Sequence, residues 1–255
     1  MSPASLLLGA IALTAIVAAR YFVVSGGMSW LTLRLHPEAG PARDRRGRQV
    51  RREIGWSLVA AAIYGVPAGI VGAIWKHGGT AIYDGMPQGV LGWVALPASA
   101  FAYLIVHDTW FYWSHRWMHR PALFARVHAV HHASRPPTAW AAMSFHWTES
   151  LSGAVVIPLL ALVVPIHVAA LIAMLTLMTW NGVINHMGWE IYPRSWVAGA
   201  FGAAVITPSH HHLHHRHYRC NYGLYFRFWD RVCGTDKGWA RELLAQGAEA
   251  AVAAE

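Results

Sequence analysis

Histidine is concentrated in one part of this 255-residue chain, at spacings that suit metal binding. Fifteen of the seventeen histidines lie between residues 107 and 217. The densest stretch, HHHLHHRH at 210–217, is interrupted and lies inside the chain, whereas purification tags are unbroken terminal repeats. Imidazole nitrogen binds zinc, copper, iron or nickel. The clustering therefore predicts a transition-metal site.

Three short motifs set these histidines at helical spacing. HRWMH contains His115 and His119, and an H-x-x-H-H pattern occurs at 128–132 and again at 211–215. Side chains three or four residues apart on a helix lie about 60° or about 40° apart around its axis. The imidazoles of each H-x-x-H-H motif then cover an arc of about 100°, and we expect them to converge on a common point.

The number and kind of these donors exclude several common metal sites. Eight histidines in three motifs are too many for one tetrahedral zinc ion, which takes four ligands. Zinc fingers need paired cysteines, but the chain contains only Cys220 and Cys233, and it has no H-E-x-x-H motif of metalloproteases. The motifs predict two metals of higher coordination number, with positions left open for oxygen.

These motifs resemble the histidine boxes of the membrane fatty acid hydroxylase/sterol desaturase superfamily. The resemblance rests on HDTWFYWSHRWMH at 107–119, HAVHH at 128–132 and HHLHH at 211–215, with similar surroundings such as NHMGWEIYP at 185–193. It extends over roughly residues 100–237. It implies a helical membrane enzyme whose cytoplasmic cap holds two iron ions. Such an enzyme uses O2 and two electrons to hydroxylate or desaturate an unactivated C–H bond of a lipid.

Carried over position by position, the resemblance implies a set of metal ligands. Eight lie in the three motifs and a ninth lies between the second and third: His115, His119, His128, His131, His132, His211, His214, His215 and His186. His107 is predicted as a tenth ligand or as a partner of the ligands. The role of His146 is open, because Trp147 follows it where the family pattern usually has proline. Three more are expected on the cytoplasmic surface or, alternatively, as partners of the ligands: His210, His212 and His217.

Carboxylates are scarce in this chain, which makes those near the boxes informative. Ligand histidines usually donate their second N–H to a carboxylate or carbonyl. Three of the twelve acidic residues adjoin a box or its flanks, and we predict that they orient the ligands: Asp108, Glu149 and Asp230. Simple solvation of a helix end is the alternative for Glu149, and helix capping or an arginine ion pair is the alternative for Asp230.

The composition predicts that membrane helices position these motifs. The chain is 55% hydrophobic and only 13% charged, against about 25% charged in soluble domains. Stretches 5–24, 54–75 and 90–113 are each long enough to cross a bilayer, which takes about twenty residues. The longer apolar run 151–184 is predicted as two helices forming a hairpin around PIH at 165–167.

Positive charge predicts the orientation. The stretch RDRRGRQVRR at 43–52 is interpreted as a short cytoplasmic loop between spans, and not as a nucleic-acid site. Counting crossings from this loop places all the histidine boxes on the same cytoplasmic side. The basic residues are nearly all arginine, which favours a bacterial protein and hence the bacterial inner membrane.

The predicted fold is an all-α integral membrane protein. It has four to five transmembrane helices and a cytoplasmic helical cap that holds the dinuclear metal site. Three parts are expected: an N-terminal anchor region over 1–99, a catalytic domain over 100–237 that includes the hairpin 151–184, and a tail over 238–255.

The predicted function is oxidation of an apolar lipid that enters from the bilayer. Carotenoid rings, fatty acyl or sphingoid chains and sterols are the candidate substrates, with hydroxylation favoured and sterol-type desaturation as an alternative. No dinucleotide-binding or haem-binding segment is recognisable, so electrons are expected from a separate ferredoxin or cytochrome with its reductase. A membrane metal transporter or metal-binding protein is the alternative from another class, but transporters place ionisable groups along a path through the membrane.

Overall fold

The chain folds mostly into helices in a computed structural model that describes residues 2–243. In chain order the elements are α1 (Pro3–Leu35), α2 (Arg43–Lys76), β1 (Ile82–Tyr83), α3 (Gly89–Met118), α4 (Pro121–Val127), α5 (Ala129–His132), a 3₁₀ helix (Ala139–Met143), α6 (Trp147–Ala154), α7 (Val156–Val163), β2 (Ile166–His167), α8 (Val168–Asn185), α9 (Arg194–Ala198), α10 (Ala200–Ala204), α11 (Pro208–His217) and α12 (Phe228–Val232). The predicted all-α membrane fold is confirmed.

Four helices, α1, α2, α3 and α8, are long and apolar enough to cross a membrane. Many of their exposed side chains are large and apolar, including Val23, Val90 and Leu91, which are 74%, 79% and 84% exposed. So large an exposed apolar surface is unfavourable in contact with water, but it is compatible with contact to lipid chains. A helix also pairs all its interior backbone groups, which the bilayer core requires.

Helices α1 and α2 pack with their backbones in close contact. The motif GVPAG places Gly65 and Gly69 one turn apart on α2, facing α1. A Cβ atom on Gly69 would lie only 2.5 Å from the backbone nitrogen of Ala10. Small residues spaced in this way allow membrane helices to approach closely.

The apolar run 151–184 is interrupted near PIH, as the sequence predicts, but the part before the interruption is two helices and not one. Helix α7 ends at Val163, β2 follows and pairs in parallel with β1, and α8 begins directly after β2. The outgoing arm is divided into α6 and α7 at Val155. Pro158 lacks the N–H that would bond to the carbonyl of Ala154, four residues earlier. This missing hydrogen bond explains why the helix is interrupted at Val155.

The arginine-rich segment 43–52 is a helix and not the predicted loop. Helix α2 begins at Arg43 and continues without interruption to Lys76. Arginine and glutamine are good helix formers, and the following apolar span extends the same helix. The predicted tail over 238–255 lies mostly outside the described residues.

Candidate metal centre

Nine histidines converge in two adjacent groups. In the first, which we call the five-histidine group, all ligand atoms lie within 4.8 Å of one another: His115, His119, His128, His132 and His214. The second, the four-histidine group, meets the same limit: His131, His186, His211 and His215. The groups adjoin, since the ring centroids of His132 and His215 are 4.6 Å apart.

The nitrogens that face one another are the Nε2 atoms. The Nε2 of His115 lies 3.0 Å from that of His128, and the Nε2 of His214 lies 3.1 Å from that of His132. In the four-histidine group, the Nε2 atoms of His211 and His186 are 3.0 Å apart. Eight of the nine rings are buried, and His119 is half-buried. Each group thus presents several imidazole lone pairs to one point that is shielded from water.

Four parts of the chain supply these rings. Helix α3 ends with the pair His115 and His119, and the α4–α5 segment carries the second box. His186 follows directly after α8, and α11 carries the third box. The ends of two long apolar helices therefore hold the site at one edge of the predicted membrane region.

Each H-x-x-H-H motif serves both groups, and so does not converge on one point as the spacing suggested. His128 and His132 join the five-histidine group, whereas His131 between them joins the other. In the third box, His211 and His215 join the four-histidine group and His214 joins the five-histidine group. The residues four apart share a group because about 40° separates them, while the third ring points to the other side.

The second nitrogen of several ligands has a fixed partner. Nδ1 of His115 lies 2.8 Å from the carbonyl of Tyr222, and Nδ1 of His214 lies 2.8 Å from the carbonyl of Cys220. Nδ1 of His128 lies 2.8 Å from a carboxylate oxygen of Glu149, which is 6% exposed. The two carbonyl partners fix the tautomers of His115 and His214 so that Nε2 is free to bind a metal, and the Glu149 carboxylate lies against the ring of His128.

Asp108 and Asp230 contact a loop instead of a ligand ring. Asp108 Oδ1 accepts backbone N–H groups of residues 224–226, the shortest bond being 2.7 Å to Tyr225. Asp230 accepts the N–H groups of Tyr222 and Gly223, both at 2.8 Å. The two carboxylates thus hold the loop whose Tyr222 carbonyl orients His115.

Glu190 performs a comparable role that the sequence analysis missed. Its Oε2 accepts the Thr207 hydroxyl at 2.7 Å and the Ser209 N–H at 2.9 Å, at the first turn of α11. A carboxylate at a helix N-terminus pairs orphan N–H groups and complements the helix dipole. Glu190 lies four residues after His186, so it ties the His186 segment to the helix that carries the third box. Acidic residues are scarce in this chain, so an acid four residues after a predicted ligand was the signal that could have identified Glu190.

The remaining histidines are not brought into either group. His107 lies beside Tyr225, with Nδ1 3.3 Å from the Tyr225 hydroxyl. His146 contacts the Thr148 hydroxyl at 2.7 Å. His212 is partly buried and His217 is exposed.

His210 is buried, which corrects its expected place on the surface. Its Nδ1 lies 2.9 Å from the Thr207 hydroxyl and 3.2 Å from the Thr207 N–H, and the two residues form a capping box at the start of α11. The imidazole substitutes for the usual glutamate or glutamine at this position. The spacing of metal ligands in a sequence does not indicate a histidine that caps a helix.

Burial keeps the ligand imidazoles neutral. It lowers the pKa of His186 to about 4 and holds the pKa values of His131, His211 and His215 well below the usual 6.5, with the neighbouring imidazoles adding to the effect. A neutral imidazole offers the lone pair that a metal needs. The donor set of nine neutral nitrogens, five in one group and four in the other, fits two transition-metal ions that accept imidazole.

The chain belongs to the fatty acid hydroxylase family. The family model for Fatty acid hydroxylase matches residues 100–235, which is more than half of the chain and contains all nine converging histidines. The expected superfamily is therefore confirmed.

Similar curated proteins are sterol enzymes. Lathosterol oxidase of Rattus norvegicus is 28% identical over 74% of this chain and 62% of its own length. A Delta(7)-sterol 5(6)-desaturase of Aspergillus fumigatus is 30% identical over 76% of this chain and 56% of its own length, and the C-4 methylsterol oxidase of Schizosaccharomyces pombe is 29% identical over 56% and 50%. The chain thus spans less than two thirds of the length of these relatives. No solved structure gave a significant match.

Proposed function

We propose that this protein is an O2-dependent membrane oxidoreductase that hydroxylates or desaturates an unactivated C–H bond of an apolar lipid. The observation that carries the proposal is the pair of adjacent, buried, all-histidine groups at the ends of apolar helices. Hydroxylation would consume the lipid C–H bond, O2, two electrons and two protons, and yield the alcohol and water. Desaturation would consume the same O2, two electrons and two protons, remove two hydrogens from the lipid and yield the alkene and two waters.

The residues proposed to hold two iron ions are the nine histidines of the two groups, with Nε2 as the donor atom. When bound, the metal pair would supply the activation of O2 that oxidation of a C–H bond requires. The chain's own contribution is to keep these rings neutral, fixed and shielded from water. Glu149, Asp108, Asp230 and Glu190 are proposed as positioning residues, because each holds a ligand or a segment that carries one. His107 is proposed as a neighbour of the site and no longer as a ligand.

A sterol or sterol-like lipid is the proposed substrate class. The relatives that cover most of the chain are named for reactions on sterols. Apolar side chains cover the exposed faces of the long helices, so the substrate would reach the site from the bilayer. Fatty acyl or sphingoid chains and carotenoid rings remain candidate substrates predicted from the sequence.

A bacterial inner membrane stays a prediction from the arginine-rich composition. The proposed orientation places the histidine groups on the cytoplasmic side of the membrane. Its support is the exposed arginines at the start of α2, since cytoplasmic flanks of spans are rich in arginine. The side chain of Arg52 donates to the carbonyl of Ala133 at 2.8 Å, directly after the second box, so both lie on one face. A separate ferredoxin or cytochrome is the proposed source of electrons.

Expression in a host that lacks the gene, followed by lipid extraction, tests the activity. We expect a lipid that gains one oxygen or loses two hydrogens only with the intact gene, and about two irons per purified chain. The His131→Ala variant should lose the product, while the His217→Ala variant, changed at an exposed position, should keep it. Metal-dependent uptake into proteoliposomes without any lipid product would instead support the transporter alternative.

A further inference from the structure

The stretch of chain that carries the first two histidine boxes contains arginines but no acidic residue. No acidic residue occurs from 109 to 148, a stretch that contains four arginines. Of these, Arg120, Arg126 and Arg135 are exposed. Next to the third box, Arg219 is exposed as well, whereas Arg216 is paired with Glu242 at 2.5 Å. Within residues 2–243, four exposed arginines adjacent to the boxes therefore form no ion pair: Arg120, Arg126, Arg135 and Arg219.

The same face contains the ligand that comes nearest to solvent. His119 is half-buried, whereas the other eight ligands are buried. Tyr218 lies beside it, with ring centroids 6.3 Å apart, and also lies 4.6 Å from the ring of His132. Tyr218 is itself partly exposed, although its hydroxyl is buried, and its ring contacts two ligands of the five-histidine group.

Tyr218 is held at this place against its backbone preference. Its φ of 63° is left-handed, a conformation that normally favours glycine or asparagine at the end of a helix. The guanidinium of Arg135 lies 4.8 Å from the Tyr218 ring centroid and stabilises it by a cation–π contact. An aromatic residue that is kept in a strained conformation against metal ligands indicates a role beyond helix termination.

We propose that this face, made of His119, Tyr218, Arg120, Arg126, Arg135 and Arg219 and here called the arginine window, docks an acidic one-electron carrier protein. The inference rests on the proposed function, which requires two electrons for each O2. Two reduced carriers would each give up one electron, and the two electrons would enter the metal centre through the Tyr218 ring. Complementary charge would steer the carrier to the shortest route.

An acidic carrier fits this surface better than lipid headgroups do. The arginines of α2 lie beside a membrane span, and Arg52 reaches the carbonyl of Ala133, so they adjoin the arginine window near Arg135. The arginine window differs from them because it surrounds a ring in contact with the ligands, which suits a partner that exchanges electrons. Rim charges of this kind act mainly on association rate and make it dependent on salt.

The test uses the full-length, iron-loaded protein in nanodiscs of zwitterionic lipid, with an acidic [2Fe–2S] ferredoxin as the carrier probe. The small reductant methyl viologen, which needs no docking surface, provides the reference. The double variant Arg120→Glu/Arg219→Glu should slow reduction by ferredoxin about tenfold or more at low salt, and high salt should remove the difference. Arg194→Glu, the same charge change at an exposed site on α9, should not affect the ratio of the two rates.

Binding and the Tyr218 ring give independent readouts. Ferredoxin affinity for metal-free protein should fall about tenfold in the double variant. Tyr218→Asn removes the ring but tolerates the left-handed backbone, so it should slow reduction by ferredoxin, while Tyr218→Phe should not.

Three outcomes for the double variant would overturn the docking proposal. The first is an equal loss of reduction rate with ferredoxin and with methyl viologen, and the second is an unchanged affinity for ferredoxin. The third is a loss of rate seen only in nanodiscs of anionic lipid, which would assign the arginines to lipid headgroups. Absence of lipid oxidation with either reductant in the unaltered protein would overturn the proposed function instead.

Discussion

Nδ1 of His128 and Oε1 of Glu149 are 2.8 Å apart in a setting where both side chains are almost fully buried. Helix α6 thereby holds the orientation of a ligand that the α4–α5 segment supplies. Partners of this kind typically change metal affinity by about 10–100-fold when they are altered. The contact ties the hairpin helices directly to the metal centre.

The Glu149→Gln variant should therefore hold metal less tightly, by about 10–100-fold, while the protein remains folded. The neutral amide is a weaker acceptor for the imidazole N–H than a carboxylate is. Iron retained per chain during titration with a chelator measures the effect. Glu38→Gln, at a 57% exposed carboxylate, is the matched control, and equal iron retention in both variants would contradict the role given to Glu149.

The histidines of HHHLHHRH should fall into distinct classes when each is changed to alanine. His214→Ala removes a ligand of the five-histidine group and should abolish activity, whereas His212→Ala should be mild. His210→Ala removes a helix cap, so we expect a loss of stability of about 1 kcal/mol with the metal still bound. Iron content, product formation and thermal midpoint of each variant separate the classes, and uniform losses would argue for diffuse metal binding.

Spacing alone singles out eight of the nine converging histidines, because it is a local property, whereas the ninth, His186, follows only from the family resemblance. His115 and His119 share a face on any helix, and the two H-x-x-H-H motifs are recognisable without a fold. The division of each motif between two groups depends on how α5 and α11 meet, which is a tertiary relationship. The same is true of Glu190, whose partners Thr207 and Ser209 lie beyond α9 and α10 in the sequence and are recognised only in three dimensions.

The Gly69→Ala variant should destabilise the packing of α1 against α2. The added Cβ would lie 2.5 Å from the backbone nitrogen of Ala10, so the helices must move apart. Overpacking of this kind costs about 1–3 kcal/mol. The control is Gly72→Ala on the same helix, where nothing lies within 4 Å of the new atom and alanine favours the helix. Thermal midpoints in detergent measure both, and a Gly69→Ala protein as stable as the control would contradict the close packing.

The metal-free protein should lose stability as pH falls from 7.5 to 5. Burial lowers the pKa of His186 to about 4 and that of His210 to about 3 in the folded protein, whereas both are near 6.5 when unfolded. Below pH 6.5 the unfolded chain therefore binds more protons, which favours unfolding by on the order of 1 kcal/mol per pH unit for each histidine that stays neutral. Burial raises the pKa of acids such as Glu149 and Asp230, which acts in the opposite direction, but the buried histidines with a lowered pKa are more numerous than these acids. Denaturation at the two pH values in the presence of chelator measures the change, and greater stability at pH 5 would contradict it.

The Glu190→Ala variant should weaken the four-histidine group more than the five-histidine group. Glu190 holds the first turn of α11 and lies in the segment that follows His186, and both parts supply ligands to the four-histidine group. Graded chelation should therefore remove about one of the two metals at a chelator concentration that leaves the unaltered protein fully loaded. The matched control is Glu242→Ala, which removes a 46% exposed carboxylate paired with Arg216 near the other end of α11. Simultaneous loss of both metals, or equal behaviour of the two variants, would show that Glu190 supports the fold in general and does not position that group.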